Sequence, residues 1–433
     1  MRLSDRLRNH SAKIAVIGQG YVGLPLAVEF AKVGFQVTGI DLDLEKVATL
    51  NRGESYIPDV EGRTIRYLLE GRRYQATNEM EVLTESDAII ICVPTPLRKT
   101  KDPDISFVLS SANEVKTHLR AGQLIILEST TYPGTTRELL LPMFEEQGLK
   151  VGRDFFLAFS PERIDPGNQQ FLVRDIPKVV GGITPECSWM AGLLYGQIVT
   201  RVLEVSNPTV AELAKLYENT FRSVNIALAN EFAMMCRYLG VSVWEVIDAA
   251  ATKPFGFMPF SPGPGIGGHC IPIDPIYLSW KLRLSGYEAR FIALADEVNR
   301  SMPRYVIELL MDGLNTQGKC LKGAHILILG VAYKKGVGDM RESPALDVIS
   351  ELQRKGSDVC YADPFVPSLA HEGLHTPRVE LTAEVIRAAD AVVILTDHRE
   401  FDYLMIVQMA NFIVDARNAT NGLNVPSDRI VRL

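Results

Sequence analysis

Cys270 lies in the densest glycine and proline stretch of the chain, residues 253–275. Glycines let a backbone approach a ligand closely, and prolines fix the path of the chain. A thiol at the end of Gly267-Gly268-His269-Cys270 therefore suits a placed nucleophile that forms a covalent intermediate. The alternative interpretation is a buried structural cysteine, because free cysteines commonly pack as small apolar side chains.

A second motif that could do chemistry, GQGYVG, begins at Gly18 and stands between an apolar, strand-like run and a helical pattern. In such a strand, turn and helix, Gly18 permits the tight turn and Gly20 lets the backbone meet a pyrophosphate. Gly23 lets the helix pack close to the strand. The phosphates would then lie at the N-terminus of the helix.

A carboxylate completes this dinucleotide pattern. The strand-like run at residues 36–40 ends in Asp41, where an acidic side chain accepts hydrogen bonds from ribose hydroxyls and repels a 2′-phosphate. We therefore expect NAD, and not NADP, as the cofactor. A chance glycine-rich turn is the alternative, but the strand, the helix and the acid are all present.

The elements that must position these residues can be predicted in outline. Apolar runs alternate with helical patterns over about the first 205 residues, which favours a parallel, doubly wound sheet. The strand-like runs after the first two lie at 88–93, 124–127, 155–159 and 178–180. A long helix is then predicted from Pro208 to Leu239, with Asn207 as its N-cap and Gly240 as the residue that ends it. Its apolar surface exceeds one stripe, so it could join two domains and supply a dimer face.

The second half of the chain repeats the first in outline, with strand-like runs at 325–330, 357–362 and 391–396 and a helical run at 343–354. This pattern predicts a second Rossmann-like sheet that lacks a GxGxxG motif. Lys334 and Arg341 follow the glycine that ends its first strand, and these cations suit a phosphate-bearing ligand. A solvated charged turn is the alternative.

Composition narrows the class of protein. The 433 residues are 47% hydrophobic and 22% charged, which fits a multidomain enzyme of about three domains. Because no run of 18 apolar residues and no secretory leader is present, we expect a cytoplasmic protein without a membrane partner. The net charge of −7 disfavours nucleic acid as a partner. Six cysteines without CxxC spacing disfavour a zinc site or a disulfide framework, so no metal is expected.

Taken together, the motifs resemble one family over nearly the whole chain, the UDP-sugar 6-dehydrogenases. Besides GQGYVG, the resemblance rests on VPTP at 93–96, ESTTYPG at 128–134, SPER at 160–163, ELAKLYENTFR at 212–222, GGHCIPID at 267–274, and YK at 333–334 with RESP at 341–344. It implies oxidation of a sugar C6 alcohol to a carboxylate in two steps, with two NAD. It also implies an NAD-binding Rossmann domain at 1–206, a central helical dimerisation domain with the cysteine loop at 207–315, and a UDP-sugar-binding Rossmann-like domain at 316–433.

Two substitutions point to a branch of this family. In GGHCIPID, His269 stands where UDP-glucose dehydrogenases of the GGSCFPKD type have Ser, and Ile273 stands where they have Lys. The stretch SPERIDPG at 160–167 departs from their pattern too. Both features resemble the enzymes that act on UDP-N-acetylhexosamines. The stretch that runs from Phe255 through the cysteine loop looks most like UDP-N-acetylglucosamine 6-dehydrogenases of bacterial O-antigen and capsule pathways. UDP-N-acetylmannosamine and UDP-glucose are the alternative substrates.

The resemblance also implies roles for individual residues. Cys270 would hold the sugar as a thiohemiacetal and then as a thioester, with Lys215, Asn219, Asp274, Thr130 and Glu162 as further catalytic residues. The cofactor would contact Gly18, Gly20, Tyr21, Val22, Gly23, Asp41, Lys46, Thr95, Thr130 and Arg341. The substrate would contact Arg163, Ile164, Lys215, Asn219, Arg222, Phe260, Gly267, Tyr333 and Lys334.

Other functions remain open at this point. A single-step beta-hydroxyacid dehydrogenase shares a Rossmann sheet and a long helix with Lys and Asn, but it needs neither Cys270 nor the second sheet. A GDP-mannose dehydrogenase is closer, and a non-catalytic protein that binds NAD or a nucleotide sugar is the alternative from a different class. The expected partners are a UDP-N-acetylhexosamine and a second copy of the chain, in a homodimer or a higher homo-oligomer.

Overall fold

The computed structural model describes residues 2–57, 59–98, 100–163 and 173–433. The chain forms two compact units, each built from two stretches of sequence. The first unit comprises Met1–Glu218 and Ile276–Gly286, and the second comprises Asn219–Pro275 and Tyr287–Leu433.

An eight-stranded sheet forms the centre of the first unit, in the order β3-β2-β1-β4-β5-β6-β7-β8. Its strands are β1 (Lys13–Ile17), β2 (Gln36–Ile40), β3 (Tyr74–Thr77), β4 (Ala88–Ile91), β5 (Leu124–Leu127), β6 (Phe156–Phe159), β7 (Lys178–Gly182) and β8 (Val202–Val205). Neighbouring strands are parallel with one exception, since β7 runs antiparallel to β6. The order reverses between β1 and β4, and such a switch point opens a crevice for a ligand.

Helices cover both faces of this sheet. They are α1 (Leu3–Arg8), α2 (Gly23–Lys32), α3 (Leu44–Asn51), α4 (Gly62–Glu70), α5 (Ser106–Thr117), α6 (Leu141–Glu145), which continues a π-helical turn (Thr136–Leu140), and α7 (Pro185–Tyr195). Successive strand residues alternate between two apolar cores: Val16 and Ile90 face one core, whereas Ile17 and Ile91 face the other. The central strands are apolar throughout because both of their faces are buried.

A long helix, α8 (Pro208–Leu239), begins in the first unit and continues into the second. Its 32 residues correspond to about 48 Å at 1.5 Å per residue. The side chain of Asn207 accepts a hydrogen bond from the amide of Val210, and Gly240 follows the helix with a φ of +71°. The bounds predicted for this helix are therefore confirmed.

The second unit contains a five-stranded parallel sheet in the order β10-β9-β11-β12-β13. Its strands are β9 (His325–Leu329), β10 (Asp358–Ala362), β11 (Ala391–Ile394), β12 (Ile413–Asp415) and β13 (Ile430–Arg432). The helices that follow α8 in the chain are α9 (Val243–Ala251), α10 (Asp274–Arg283), α11 (Arg290–Thr316), α12 (Pro344–Arg354), α13 (Ala383–Ala388) and α14 (Tyr403–Met409). Apolar cores again lie on both faces of the sheet.

In each sheet the carboxyl ends of the parallel strands lie at one edge. The loops that follow there carry the glycines and carboxylates that could contact a ligand. In the first unit β1 is followed by the glycine motif and β2 by Asp41. In the second unit Gly330 follows β9 and Asp363 follows β10. Within the described ranges no helix combines the length and the apolar character that crossing a membrane requires.

Candidate active site

The glycine motif forms the turn between β1 and α2. Gly18 has a φ of +92°, and a Cβ there would lie 2.6 Å from the carbonyl oxygen of Cys92. A Cβ on Gly23 would lie 1.8 Å from the carbonyl oxygen of Gly18, so only glycine allows α2 to start this close to the turn. At Gly20, by contrast, a Cβ would meet no atom within 4 Å. The unobstructed backbone at Gly20 and the adjacent N-terminus of α2 fit the pyrophosphate of a dinucleotide.

Asp41 is held in a fixed orientation at the end of β2. One carboxylate oxygen accepts a hydrogen bond from the amide of Gln19 at 2.9 Å, and the other accepts from the amide of Asp43 at 3.0 Å. The carboxylate therefore lies beside the glycine motif, where a ribose would follow the pyrophosphate. Leu42 and Leu44 are both exposed and offer an apolar surface beside Asp41 for an adenine ring.

Gln19 stabilises the glycine motif through hydrogen bonds to neighbouring residues. Its side chain is fully buried, donates to the carbonyl of Val16 at 2.9 Å and accepts from the hydroxyl of Tyr74 at 2.8 Å. The hydroxyl of Tyr56 donates to the carbonyl of Gln19 at 2.6 Å. Burial, together with the nearby Asp41 carboxylate, raises the pKa of Tyr56, so it remains a hydrogen-bond donor. Gln19 stands at a variable position of the GxGxxG motif, so the motif does not single it out.

The other residues predicted to contact the cofactor lie around this turn or in neighbouring loops. Tyr21 and Val22 are half-buried in the motif itself. The ammonium of Lys46 on α3 lies 3.8 Å from a carboxylate oxygen of Asp43 and 6.0 Å from the centroid of the Tyr56 ring. In the loops after β4 and β5, the carbonyl of Thr95 accepts a hydrogen bond from Tyr277 at 3.1 Å and Thr130 is half-buried.

Glu162 belongs to a buried charged cluster in the first unit. One of its carboxylate oxygens accepts from the Lys178 ammonium at 3.0 Å, and the other accepts from the amide of Arg163 at 2.6 Å. The same ammonium forms an ion pair with Glu128, whose second oxygen accepts from the hydroxyl of Tyr195 at 2.5 Å. Burial raises the pKa of Glu128 to about 8, although the Lys178 ammonium favours its ionised form. We call Glu128, Glu162, Lys178 and Tyr195 the Lys178 cluster.

Two residues expected to bind the substrate follow Glu162 in sequence. The guanidinium of Arg163 forms an ion pair with Glu218 at 2.7 Å and donates to the carbonyl of Pro177 at 2.8 Å. Ile164 lies outside the described residues.

Lys215 and Asn219 lie one helical turn apart on α8 and are both buried. The structure gives the Lys215 ammonium no hydrogen bond or ion pair with any residue that it describes. Charged side chains that are largely buried without a protein counter-charge are concentrated at functional sites. Arg222, three residues beyond Asn219, is exposed.

In the second unit, Asn219, Cys270 and Asp274 are joined by hydrogen bonds. The amide of Asp274 donates to the carbonyl of Cys270 at 2.8 Å, in a turn that leads from the glycine-rich loop into α10. The side-chain amide of Asn219 donates to the carboxylate of Asp274 at 2.5 Å, and this carboxylate is almost completely buried. The Cys270 side chain remains partly accessible to solvent. The structure thus joins the backbone of a partly exposed cysteine, a buried carboxylate and a side-chain amide in one hydrogen-bonded arrangement.

The loop before Cys270 packs tightly on the loop that follows β9. A Cβ on Gly267 would lie 2.6 Å from the Cβ of Tyr333, and a Cβ on Gly268 would lie 2.9 Å from the Tyr333 ring. The amide of Gly268 donates to the carbonyl of Arg341 at 2.9 Å. Glycine is therefore required at both positions for the two loops to meet.

Three more residues of the second unit are predicted to contact substrate or cofactor, and they differ in their burial and in their partners. Phe260 packs edge-on against Phe221, with ring centroids 5.7 Å apart. Lys334 is half-buried. The guanidinium of Arg341 is exposed and forms three hydrogen bonds to Asp339, at 3.0, 3.1 and 2.6 Å.

Arg417 is a candidate that no sequence motif marks. It follows β12, and its guanidinium donates to the carbonyl of Leu395 at 2.9 Å. A Cβ on Gly263 would lie 2.7 Å from one of its terminal nitrogens. Burial lowers the pKa of Arg417, and a half-buried guanidinium beside a glycine-rich loop suits an anionic ligand.

Family models match the chain in three consecutive parts. They are described as the NAD binding domain (residues 12–199), the central domain (209–301) and the UDP binding domain (327–422) of the UDP-glucose/GDP-mannose dehydrogenase family. The chain belongs to this family. The predicted NAD cofactor and the two Rossmann-like sheets with their central helix are therefore confirmed, and the protein is an NAD-dependent UDP-sugar dehydrogenase.

Relatives in this family carry two different substrate names. The chain is 38% identical to a UDP-N-acetyl-D-mannosamine dehydrogenase of Pyrococcus horikoshii, over 90% of each chain. It is 36% identical to a UDP-N-acetyl-D-glucosamine 6-dehydrogenase of Pseudomonas aeruginosa, over 90% of this chain and 91% of the relative. A solved structure of a UDP-D-ManNAc dehydrogenase from Pyrococcus horikoshii has a TM-score of 0.89 and 35% identity, and the match covers 97% of this chain and 98% of that one.

Proposed function

We propose that the protein oxidises the C6 alcohol of a UDP-N-acetylhexosamine twice, to the uronic acid, with UDP-N-acetylglucosamine as the first candidate substrate. The observation that carries this proposal is the hydrogen-bonded arrangement of Cys270, Asp274 and Asn219 at the end of the glycine-rich loop. A single oxidation of an alcohol needs no nucleophile, whereas a twofold oxidation must hold the aldehyde between its two steps.

Cys270 performs the covalent step in this proposal. Its thiolate adds to the C6 aldehyde after the first oxidation, and protonation of the oxygen gives a thiohemiacetal. The second oxidation removes the C6 hydrogen as hydride and the hydroxyl proton, which leaves a thioester. Water then cleaves the C–S bond, so the products are the sugar carboxylate and the free thiol. NAD supplies the hydride acceptor in both oxidations.

Asn219, Lys215 and Asp274 act on the C6 oxygen and its protons. An amide and an ammonium donate hydrogen bonds to the charge that develops on this oxygen, and a site with little water strengthens both interactions. Asp274 accepts the alcohol proton or orients the hydrolytic water. The Asn219 amide, which donates to Asp274, fixes the carboxylate for that role. Thr130 and Glu162 are proposed to position the hydrolytic water, a role that the family resemblance implies.

The first unit offers the groups that would hold NAD. The backbone at Gly20 and the N-terminus of α2 would bind the pyrophosphate, and the Asp41 carboxylate would accept hydrogen bonds from the adenosine ribose. Leu42 and Leu44 would contact the adenine ring.

The second unit offers the groups for the UDP part. Tyr333 and Lys334 follow β9, Arg417 follows β12, and the carboxyl ends of parallel strands are the usual place for a nucleotide. Each charge-assisted contact to a phosphate is worth on the order of 1.5 to 3 kcal/mol. Lys334→Ala should therefore weaken binding of UDP roughly tenfold or more.

The configuration at C2 of the sugar is the finer part of the proposal. His269 and Ile273 favour an N-acetylhexosamine over glucose, by resemblance. UDP-N-acetylmannosamine is the second candidate substrate. The relative at 38% identity is named for this sugar, and the relative at 36% identity is named for UDP-N-acetylglucosamine.

One assay tests the whole proposal: formation of NADH with UDP-GlcNAc, UDP-ManNAc, UDP-GalNAc and UDP-glucose, with the sugar product counted by mass spectrometry. We expect two NADH per uronic acid and the highest kcat/KM with UDP-GlcNAc. One NADH per sugar, with release of an aldehyde, would contradict the covalent mechanism. A higher kcat/KM with UDP-ManNAc or UDP-glucose would replace the proposed substrate.

We further propose that α8 forms the face of a homodimer. Leu228 and Tyr238 on α8 are 58% and 93% exposed, and Phe291 and Leu294 on α11 are also exposed. Apolar surface of this kind marks an interface when it is contiguous along a helix. We also propose that the chain is divided by function into three domains, at 1–206, 207–315 and 316–433.

A further inference from the structure

Asp363 and His398 form a fully buried pair in the second unit, at the carboxyl ends of β10 and β11. The His398 Nε2 atom lies 3.0 Å from a carboxylate oxygen of Asp363. The rings of Phe365 and Phe401 pack against the imidazole, with centroids 5.2 and 5.6 Å away. Neither residue belongs to the sequence motifs that carry the family resemblance.

The pair holds both ends of the loop that follows β9, residues 331–338. At its start, one Asp363 oxygen accepts hydrogen bonds from the amides of Val331 at 2.8 Å and Ala332 at 3.3 Å. Near its end, the amide of Gly336 donates to Nδ1 of His398 at 3.2 Å. Gly336 has a φ of +74°, a conformation that glycine adopts without strain.

The direction of the Gly336 hydrogen bond determines the tautomer of His398. An amide can only donate, so Nδ1 carries the lone pair and the ring proton lies on Nε2, from which it is donated to Asp363. Asp363 carries its charge easily, because its other oxygen accepts from the amides of Phe365 and Val366 at 2.8 and 3.0 Å. Although burial opposes ionisation, the hydrogen bonds from His398 and from the amides of Val331 and Phe365 lower the pKa of Asp363.

This loop carries two of the residues proposed for the nucleotide sugar. Tyr333 and Lys334 lie between the two points at which the pair holds the loop. Tyr333 also packs on Gly267 and Gly268, which precede Cys270 in the chain. Displacement of the loop would therefore disturb both the nucleotide contacts and the support of the cysteine loop.

We propose that His398 is a positioning residue for the nucleotide sugar, which acts by accepting the Gly336 amide and so fixing the loop of residues 331–338. This inference rests on the proposed function, because it assigns the loop to the UDP part of the substrate. Asp363 keeps four backbone donors without His398, whereas Gly336 loses its acceptor. The Nδ1 acceptor is thus the atom of His398 that matters for binding.

Two substitutions separate the two nitrogens. His398→Asn places a carbonyl oxygen where Nδ1 stands and removes the donor to Asp363. His398→Gln keeps a donor near the Nε2 position and removes the acceptor for Gly336. Both variants delete the aromatic ring, so their difference reports which hydrogen bond of His398, to Gly336 or to Asp363, holds the loop, and not the loss of packing.

The first measurement is hydrogen exchange, followed by mass spectrometry of peptides that cover residues 331–338 in the ligand-free protein. We expect exchange in His398→Gln to be about tenfold faster than in His398→Asn. The second measurement is calorimetry with UDP, in which His398→Gln should bind roughly tenfold more weakly and His398→Asn within about twofold of wild type. The Kd for NAD should not change in either variant.

Equal exchange and equal UDP affinity in the two variants would overturn the inference, and so would a larger defect in His398→Asn. If neither variant folds, NMR of the wild-type protein with ¹⁵N-labelled histidine decides: a neutral Nε2–H tautomer supports the inference and an Nδ1–H tautomer refutes it. A wild-type protein that neither binds UDP nor oxidises a UDP-sugar would refute the proposed function instead. The exchange comparison would still decide whether His398 holds the loop.

Discussion

The carboxylate of Asp274 accepts a hydrogen bond of 2.5 Å from the side-chain amide of Asn219, and the amide of Asp274 donates to the carbonyl of Cys270 at 2.8 Å. These two bonds fix a buried carboxylate relative to a helix and to the glycine-rich loop. The carboxylate therefore has one orientation available for proton transfer at the proposed site.

Asp274→Asn should lower kcat about 100-fold or more with little change in the KM for the nucleotide sugar, because an amide keeps the shape but cannot accept a proton. Steady-state NADH formation measures this. Asp312→Asn is the matched control, since its side chain is 74% exposed and its nearest cation, Arg237, lies 3.9 Å away. If Asp274→Asn retained wild-type kcat, Asp274 would have no role in the chemical steps.

The orientation of Asp41 leads to a prediction about cofactor choice. Its carboxylate should repel the 2′-phosphate of NADP, so wild-type kcat/KM should be far higher with NAD. Asp41→Asn keeps an oxygen for the Gln19 amide but removes the charge. It should lower the ratio of kcat/KM for NAD to kcat/KM for NADP roughly tenfold. Kinetics with both cofactors test this, with Asp59→Asn as a control. Equal kcat/KM for NAD and NADP in the wild type would refute the role of Asp41.

The buried Lys178 cluster predicts a stability effect that grows with pH. Lys178→Met leaves Glu128 and Glu162 without their ammonium and should cost about 3 to 5 kcal/mol of unfolding free energy near pH 8. Because the pKa of Glu128 is raised from 4.5 to about 8 by burial, its contribution to stability is present below pH 4.5 and lost as the pH rises through 8. In Lys178→Met the loss of stability with rising pH is larger, because no cation then stabilises the ionised Glu128 carboxylate.

Urea unfolding at pH 5 and pH 8 measures the difference. The matched control is Lys13→Met, which removes a surface ion pair with Glu85 whose side chains are 49% and 74% exposed. That variant should lose less than about 1 kcal/mol at both pH values. A deficit in Lys178→Met that did not increase from pH 5 to pH 8 would show that the carboxyl groups of the cluster do not change protonation over this range.

Local sequence predicts the regular elements here because their limits are chemically marked. The bounds of α8 follow from Asn207, Pro208 and Gly240, which cap, start and end the helix independently of tertiary packing. The strand β5 is an uninterrupted apolar run and is buried on both faces. In contrast, β8 has a half-exposed pattern that gives no strand signal, and α11 contains Pro303, which the pattern alone would treat as a helix end.

Contacts between distant residues could not be predicted in the same way. The antiparallel direction of β7 depends on how the chain returns to the sheet after β6, and no local pattern encodes that. The ion pair between Glu128 and Lys178 joins residues 50 positions apart, and His398 meets Asp363 only because β10 and β11 flank β9. Motif residues such as Cys270 could be selected because their types and neighbours suit one chemistry.

The apolar face of α8 leads to a prediction about assembly. Leu228→Glu should convert a dimer to a monomer, because it places a charge at the centre of the proposed interface. Size-exclusion chromatography with light scattering measures this. The control is Tyr67→Glu on α4, an equally polar change at a side chain that is 74% exposed. A Leu228→Glu protein with the wild-type mass would place the interface elsewhere.

The partly accessible Cys270 leads to the most direct test of the covalent mechanism. Cys270→Ala should form essentially no uronic acid, because no nucleophile then holds the aldehyde between the two oxidations. Cys270→Ser should form and hydrolyse an ester slowly, because a serine hydroxyl is a far weaker nucleophile than a cysteine thiol, of which a few per cent is ionised near neutral pH. Intact-protein mass spectrometry with substrate and NAD should show either an adduct at position 270 or no turnover. Cys320→Ser, at an exposed thiol, should retain wild-type activity. Full formation of two NADH per sugar by Cys270→Ala would refute covalent catalysis and assign this cysteine a structural role.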